Sequence, residues 1–208
     1  MKKLTTLAAA ITLCMTASAF AITAQSGFYI GPFGGWSIPS KVLSNNDVQG
    51  YSAKSKTWVL GQTLGYVHAI NQNVLTGIEI SNINFGKTVY DANPNPTPFA
   101  IKSSGYQILL TSTYVASNGV NVFVKAGGID EYTAIGQNSA NSADGPHSLR
   151  KWIPAIAFGL GYKPTQKMDI ALQYERTMGQ DYGPNNDYPS KPLSENAMTL
   201  NVTFMLPI

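Results

Sequence analysis

The connections in this 208-residue chain are long and short by turns. Reading its alternating apolar runs as strands leaves connections at 38–56, 69–73, 86–104, 116–119, 133–148, 163–167 and 179–195. The first, third, fifth and seventh hold 16 to 19 residues, and the others hold 4 or 5. A soluble sandwich has no reason to keep that rule. A barrel threaded through a bilayer does, because every second connection emerges on the same side. Bacterial outer-membrane barrels carry short periplasmic turns and longer loops outside. Seven connections separate eight strands, so the expected architecture is all-β: an eight-stranded antiparallel up-and-down transmembrane barrel with four longer extracellular loops.

The first residues, MKKLTTLAAAITLCMTASAFA, combine a positive start at Lys2 and Lys3 with a short apolar stretch, Leu4–Met15. Small residues at Ala17, Ala19 and Ala21 then offer cleavage sites. This is the pattern of a secretory leader, too short to span a membrane as a helix. Cleavage is expected after Ala21, with Ala19 and Ala24 as alternatives, leaving residues 22–208 as one domain. The single cysteine, Cys14, falls in the leader. The mature chain then has no thiol, which excludes disulfides, thiolate metal sites and cysteine nucleophiles. Losing Lys2 and Lys3 leaves 12 basic side chains against 11 acidic, so nothing points to a nucleic acid or other polyanion. Mean hydropathy is −0.05, with 19 glycines, 11 tyrosines and 8 phenylalanines, as suits strands that meet lipid with alternate residues only.

Strands are expected at Gly27–Ser37, Thr57–His68, Val74–Phe85, Gly105–Val115, Val120–Tyr132, Leu149–Tyr162, Met168–Met178 and Asn196–Leu206. The last is the clearest: Met198, Leu200, Val202, Phe204, Leu206 and Ile208 share one parity, and Ala197, Thr199, Asn201 and Thr203 the other. A period of two with one greasy face means that face meets apolar surroundings. The aromatics separate lipid from a protein core. Trp58 and Tyr66, Tyr106 and Tyr114, and Trp152 and Tyr162 pair on one face of the second, fourth and sixth strands. Spaced 8 or 10 residues apart, each pair spans roughly 20–26 Å along the normal of a tilted barrel. That matches an apolar band with an aromatic girdle at each rim. Two strands fit less well. The first carries bulk on both faces, and in the second Gln62 falls on the lipid parity, which a bulge there would repair.

Glu79, Lys125, Asp169 and Glu175 lie on the polar parity and are expected to point into a barrel just wide enough to be filled by side chains. Isolated buried charges are costly, so a Glu79–Lys125 or Lys125–Glu175 pair is expected. Arg176, Arg150, Lys151 and Lys191 fall where they can meet lipopolysaccharide phosphates. The long connections are polar and turn-rich: Asp91–Phe99 has proline at every second position from Pro94 to Pro98, Gly136–Ser148 lacks bulky apolar residues, and Gly179–Pro192 offers Tyr182 and Tyr188 as contact residues.

SGFYIGPFGGWS after the leader, VFVKAGGIDEY, AIAFGLGYKP followed by MDIALQYER, and the closing MTLNVTFMLPI together resemble the OmpA-like and OmpX-like small outer-membrane barrels, the group that includes opacity-type surface proteins. The resemblance covers essentially the whole mature chain. It implies residence in the outer membrane of a Gram-negative bacterium and assembly through the last strand, Met198 to Ile208, although that family typically ends on an aromatic residue. It also implies an interior plugged or gated by charges, no cofactor, and a monomer in lipid and lipopolysaccharide. A host or surface ligand would bind at the loops. The expected function is therefore non-enzymatic, supporting envelope integrity or adhesion. A narrow gated porin is the first alternative. A lipid A-modifying enzyme is the second; it would need His, Ser and a carboxylate to converge, and only His68 and His147, the latter beside Ser148 and near Asp144, are available.

Overall fold

A computed structural model of the chain describes residues 22–39, 51–53, 57–92, 99–137, 147–178 and 195–206. Residues 1–21 with Ala21, the loop tips 93–98, 138–146 and 179–194 with Tyr182, Tyr188 and Lys191, and Ile208 lie outside the described residues. The strands are β1 (Gly27–Pro39), β2 (Tyr51–Ala53), β3 (Thr57–Ala69), β4 (Val74–Ala92), β5 (Phe99–Val115), β6 (Val120–Gln137), β7 (His147–Thr165), β8 (Met168–Thr177) and β9 (Glu195–Met205). All pairings are antiparallel. β1 pairs with both β3 and β9, and the order continues through β8, β7, β6 and β5 to β4, which returns to β3. Eight strands thus close into a barrel, and the three-residue β2 adds to the rim of β4. Closure leaves no unpaired edge, which the hydrocarbon demands of any sheet it contains.

One arithmetic rule orders the wall. Partners that face each other across every short turn share parity, Ala69↔Leu75, Val115↔Asn121 and Tyr162↔Ile170, the last after a register shift between Tyr162 and Thr165. In the spanning part the buried side chains are odd-numbered on all eight strands, as with Tyr29, Thr63, Glu79, Gln107, Asn121, Ala157, Gln173 and Thr199. The even-numbered neighbours form a continuous apolar exterior: Leu60, Leu64, Leu110, Val124, Phe158, Leu160, Leu172 and Leu200 are exposed, Leu110 by 67%. A soluble protein does not present so much contiguous apolar surface to water.

The second strand needs no repair. Its register against β1 and β4 runs unbroken through Pro32↔Gln62 and Gln62↔Asn82, so Gln62 does face outward. No bulge is present at Gln62; β4 carries one between Asn84 and Gly86. Gly86 takes φ 76°, and its amide donates to Asn84 Oδ1 at 2.8 Å. Glycine adopts that left-handed backbone without steric cost.

Four strands, β4 to β7, are longer than the alternation predicts by five residues or more. β4 continues to Ala92 and β5 begins at Phe99, while β6 reaches Gln137 and β7 begins at His147. The connections expected at 86–104 and 133–148 therefore shrink to 93–98 and 138–146. Pairing persists to Tyr90↔Phe99, Phe99↔Gln137 and Ile135↔His147. β4 to β7 thus form a four-stranded crest above the register row Tyr106–Asp130–Trp152.

Candidate functional site

The interior is arranged in tiers. Nearest the periplasmic turns, Asn121 Nδ2 donates to both Asp169 oxygens at 3.2 Å, and Lys163 Nζ lies 3.5 Å from Asp169 Oδ2. One tier up, Lys125 Nζ donates to Glu79 Oε1 and Oε2 at 2.9 and 2.8 Å. The Tyr29 hydroxyl donates to the same carboxylate at 2.8 Å, and Ser81 Oγ at 3.3 Å. Lys125 Nζ also sits 5.2 Å from the centroid of the Phe123 ring. A buried carboxylate is tolerated when its lone pairs meet a cation and hydroxyl donors, as here.

Local sequence explains how Tyr29 reaches Glu79. Its register partner on β3 is Gly65, and a Cβ there would stand 2.3 Å from the tyrosine ring. The missing side chain is the slot in which the ring lies.

The ion pairs line a cavity of about 80 Å³, together with Val67, Leu75, Thr111 and Met205, enough for a few waters. Two oxygens on its wall, Thr111 Oγ1 and Asn121 Oδ1, are buried without a hydrogen-bond partner among the described residues. Above the cavity lies Glu175, 1% exposed, which accepts from Gln173 Nε2 at 3.0 Å.

The next tier is apolar. Phe33, Val59, Ile83, Phe85, Leu109, Ile129, Ile153, Ala155 and Ala197 form one buried cluster across the lumen. Buried polar groups flank it, with Gln107 opposite Ile129 and Thr177 opposite Ala155, and farther along Thr133 Oγ1 donates to Glu131 Oε1 at 3.0 Å. Hydrophobic constrictions in pores gate by dewetting.

Of the four interior charges expected from the sequence, Glu79 and Lys125 are paired directly, Asp169 pairs with Lys163, and Glu175 is bonded to Gln173 rather than to Lys125. Sequence reasoning missed Lys163, which looked like part of a Lys-Pro turn, and the apolar tier. A signal for the tier was present: Ile83 and Phe85 share the parity of Glu79, so bulk on the polar face marked packing within.

The aromatic residues stand on the outer wall. Trp58, Tyr106, Tyr114 and Trp152 are 52 to 65% exposed, and Tyr66 and Tyr162 are half-buried. Trp58 packs against Trp36 with ring centroids 5.6 Å apart, and Tyr66 against Phe28 at 4.9 Å. Higher on the same face Lys87 stands opposite Lys102, and Arg150 Nε donates to both oxygens of Asp130 at 3.0 Å. Arg176 is also exposed on this face, opposite Ile156 and Asn196. His68 is exposed near the periplasmic rim, across from Thr76. His147 opens β7 opposite Ile135, and Asp144 lies outside the described residues. Among the described residues no group of three or more His, Cys, Asp or Glu is placed to hold a metal ion.

A family profile described as "Outer membrane protein beta-barrel domain" matches residues 6–205. Among solved structures, the outer membrane protein OprG from Pseudomonas aeruginosa is similar at 13% identity and TM-score 0.55, covering 89% of this chain and 100% of that one. Neisserial surface protein A is similar at 14% identity and TM-score 0.50, covering 88% and 100%. Ail, the attachment invasion locus protein of Yersinia pestis, solved with the heparin analogue sucrose octasulfate, is similar at 13% identity and TM-score 0.50, covering 87% and 97%. No curated protein matches the sequence.

Proposed function

The chain belongs to the outer membrane protein beta-barrel domain family, and from that premise we propose that it is a non-enzymatic surface barrel supporting envelope integrity and adhesion through its extracellular side. It resides in the outer membrane of a Gram-negative bacterium, with lipid around its wall. The observation that carries the proposal is the crest of β4 to β7. From Tyr106 to Phe99 the sheet continues for about 20 Å of strand, so the paired support ends well beyond the aromatic girdle on the side of the long connections. Loops on rigid supports are where barrels carry recognition. Lys87, Lys102 and Arg150 on the outer face of this crest are suited to lipopolysaccharide phosphates. The closing strand, Met198 to Ile208, is the segment offered to the assembly machinery, and the functional unit is a monomer.

Deleting the tips 93–98 and 138–146, separately and together, in cells that express the protein tests the adhesive part. Loss of attachment with an unchanged amount of folded barrel is expected; full attachment by the double deletion would refute it. Envelope support predicts that cells lacking the protein become more sensitive to detergent.

A narrow porin is the second reading, favoured by the charged cavity on the periplasmic side. The apolar tier across the lumen argues against it. Sustained ion flux in liposomes, lost on Lys125→Ala or Glu79→Ala, would establish the pore. A lipid A-modifying activity would instead show as altered lipid A on expression, abolished by His147→Ala.

A further inference from the structure

The five residues that precede the first strand do not hang free. Ile22 N donates to Ser117 O at 3.1 Å, on the turn between β5 and β6. Ala24 N donates to Gln72 O at 2.9 Å, on the turn between β3 and β4. Gln25 Nε2 donates to Gln166 Oε1 at 2.7 Å, on the turn between β7 and β8. Ser26 Oγ accepts from Ala69 N, at the end of β3, at 2.8 Å. One short segment is thus fastened to all three periplasmic turns.

It also turns an apolar side chain into the barrel. Ile22 is 4% exposed and packs in a cluster with Tyr29, Val67, Leu75 and Val115, while Thr23 and Gln25 point to solvent. Tyr29, Val67 and Leu75 belong to the wall of the charged cavity as well. Ile22 therefore stands at the cavity's periplasmic mouth. The turn below is shaped for it: Gly119 takes φ 85°, and a Cβ there would lie 3.0 Å from Ile22 Cδ1 and 2.7 Å from Lys163 O.

We propose that Ile22–Ser26 is a strap that closes the periplasmic mouth over the charged cavity, and that hydrolysis of the Ala21–Ile22 peptide bond is the processing step that delivers it. In that step the C–N bond breaks, the water oxygen joins the Ala21 carbonyl carbon to give a carboxylate, and both water protons end on the Ile22 nitrogen, giving an α-ammonium group. The resulting ammonium replaces the peptide N–H as donor to the Ser117 carbonyl, a stronger charge-assisted bond. Cleavage after Ala24 would remove the stopper and both backbone staples. Cleavage after Ala19 would leave Phe20 and Ala21 ahead of the stopper, with no charge at Ile22.

Two measurements on the protein extracted from outer membranes test this. Intact mass and N-terminal sequencing should give Ile22 as the first residue; a mature chain starting after Ala19 or Ala24 overturns the processing step. For the strap, Thr111→Cys places a lone thiol on the cavity wall, because Cys14 leaves with the leader. Its reaction with a small cationic methanethiosulfonate should be slow, and Ile22→Asp or Ala24→Pro should speed it at least about tenfold by raising the open population. Unboiled gel migration verifies that each variant is folded, and Ile22→Ala serves as a milder substitute for one that is not. Equal labelling rates with and without the strap substitutions in folded protein overturn the strap.

Discussion

Removing one member of the Glu79–Lys125 pair should cost far more than removing both. Glu79 is 3% exposed, and its carboxylate receives both Lys125 contacts, the Tyr29 hydroxyl and the Ser81 hydroxyl. In Lys125→Met the anion keeps only hydroxyl donors, and in Glu79→Leu the ammonium is left facing Phe123 and Tyr29. Stranding one buried charge costs about 3–5 kcal/mol. For a chain of this length that is a fall in Tm of about 6–20 °C. The double substitution Glu79→Leu/Lys125→Met replaces the pair by apolar groups of similar volume, which is close to neutral. It should stay within about 1 kcal/mol of the parent, giving a coupling energy of several kcal/mol across the cycle. The assay is the temperature at which each variant, in the same lipid, shifts from folded to unfolded migration on an unboiled gel. Single substitutions costing under about 1 kcal/mol each, with the double equal to their sum, would refute the reasoning. The pair would then behave as a hydrated surface contact.

Gly65→Val drives its side chain into the Tyr29 ring and should lower stability by about 1–3 kcal/mol by overpacking, measured by the same gel shift. Leu110→Arg puts a cation on the lipid-facing wall midway between Tyr106 and Tyr114, at a cost of about 2–4 kcal/mol, whereas Lys102→Arg on the crest should leave the transition in place. In planar bilayers the parent should show no sustained conductance and Lys125→Ala should not open it. Phe85→Ser/Ile129→Ser, by wetting the apolar tier, should produce current events.

Much of the barrel is legible in the sequence because lipid on one side and packed side chains on the other impose a strict period of two. Leu200, Val202 and Phe204 against Thr199, Asn201 and Thr203 show it without aid. The inward parity of Glu79 and Lys125 follows from the same alternation, and charge balance makes their pairing the economical choice. What was hidden has physical reasons too. Above the lipid, Thr88–Ala92 and Phe99–Ser104 lose the one-sided apolar signal, so paired strand reads as loop. Around Gln62, a polar residue among lipid-facing neighbours mimics a bulge, while the bulge at Asn84 and Gly86 leaves no mark until register is known. The segment Ile22–Ser26 reads as a spacer, because its partners are backbone groups and one glutamine side chain at turns and a strand end distant in sequence.

The shared parity of partners across each periplasmic turn has a consequence for how such a chain tolerates change. A single residue inserted at 70–73, 116–119 or 166–167, unless taken up by an irregularity such as the one between Tyr162 and Thr165, would exchange the oily and wet sides of the stave that follows, setting Glu79, Lys125 or Asp169 against hydrocarbon. Two inserted residues would leave every stave facing as before. The outer tips join staves that already project beyond the lipid, so odd and even additions there are absorbed alike. Length variation among related chains should therefore collect at the cell exterior and, on the inner side, come in twos.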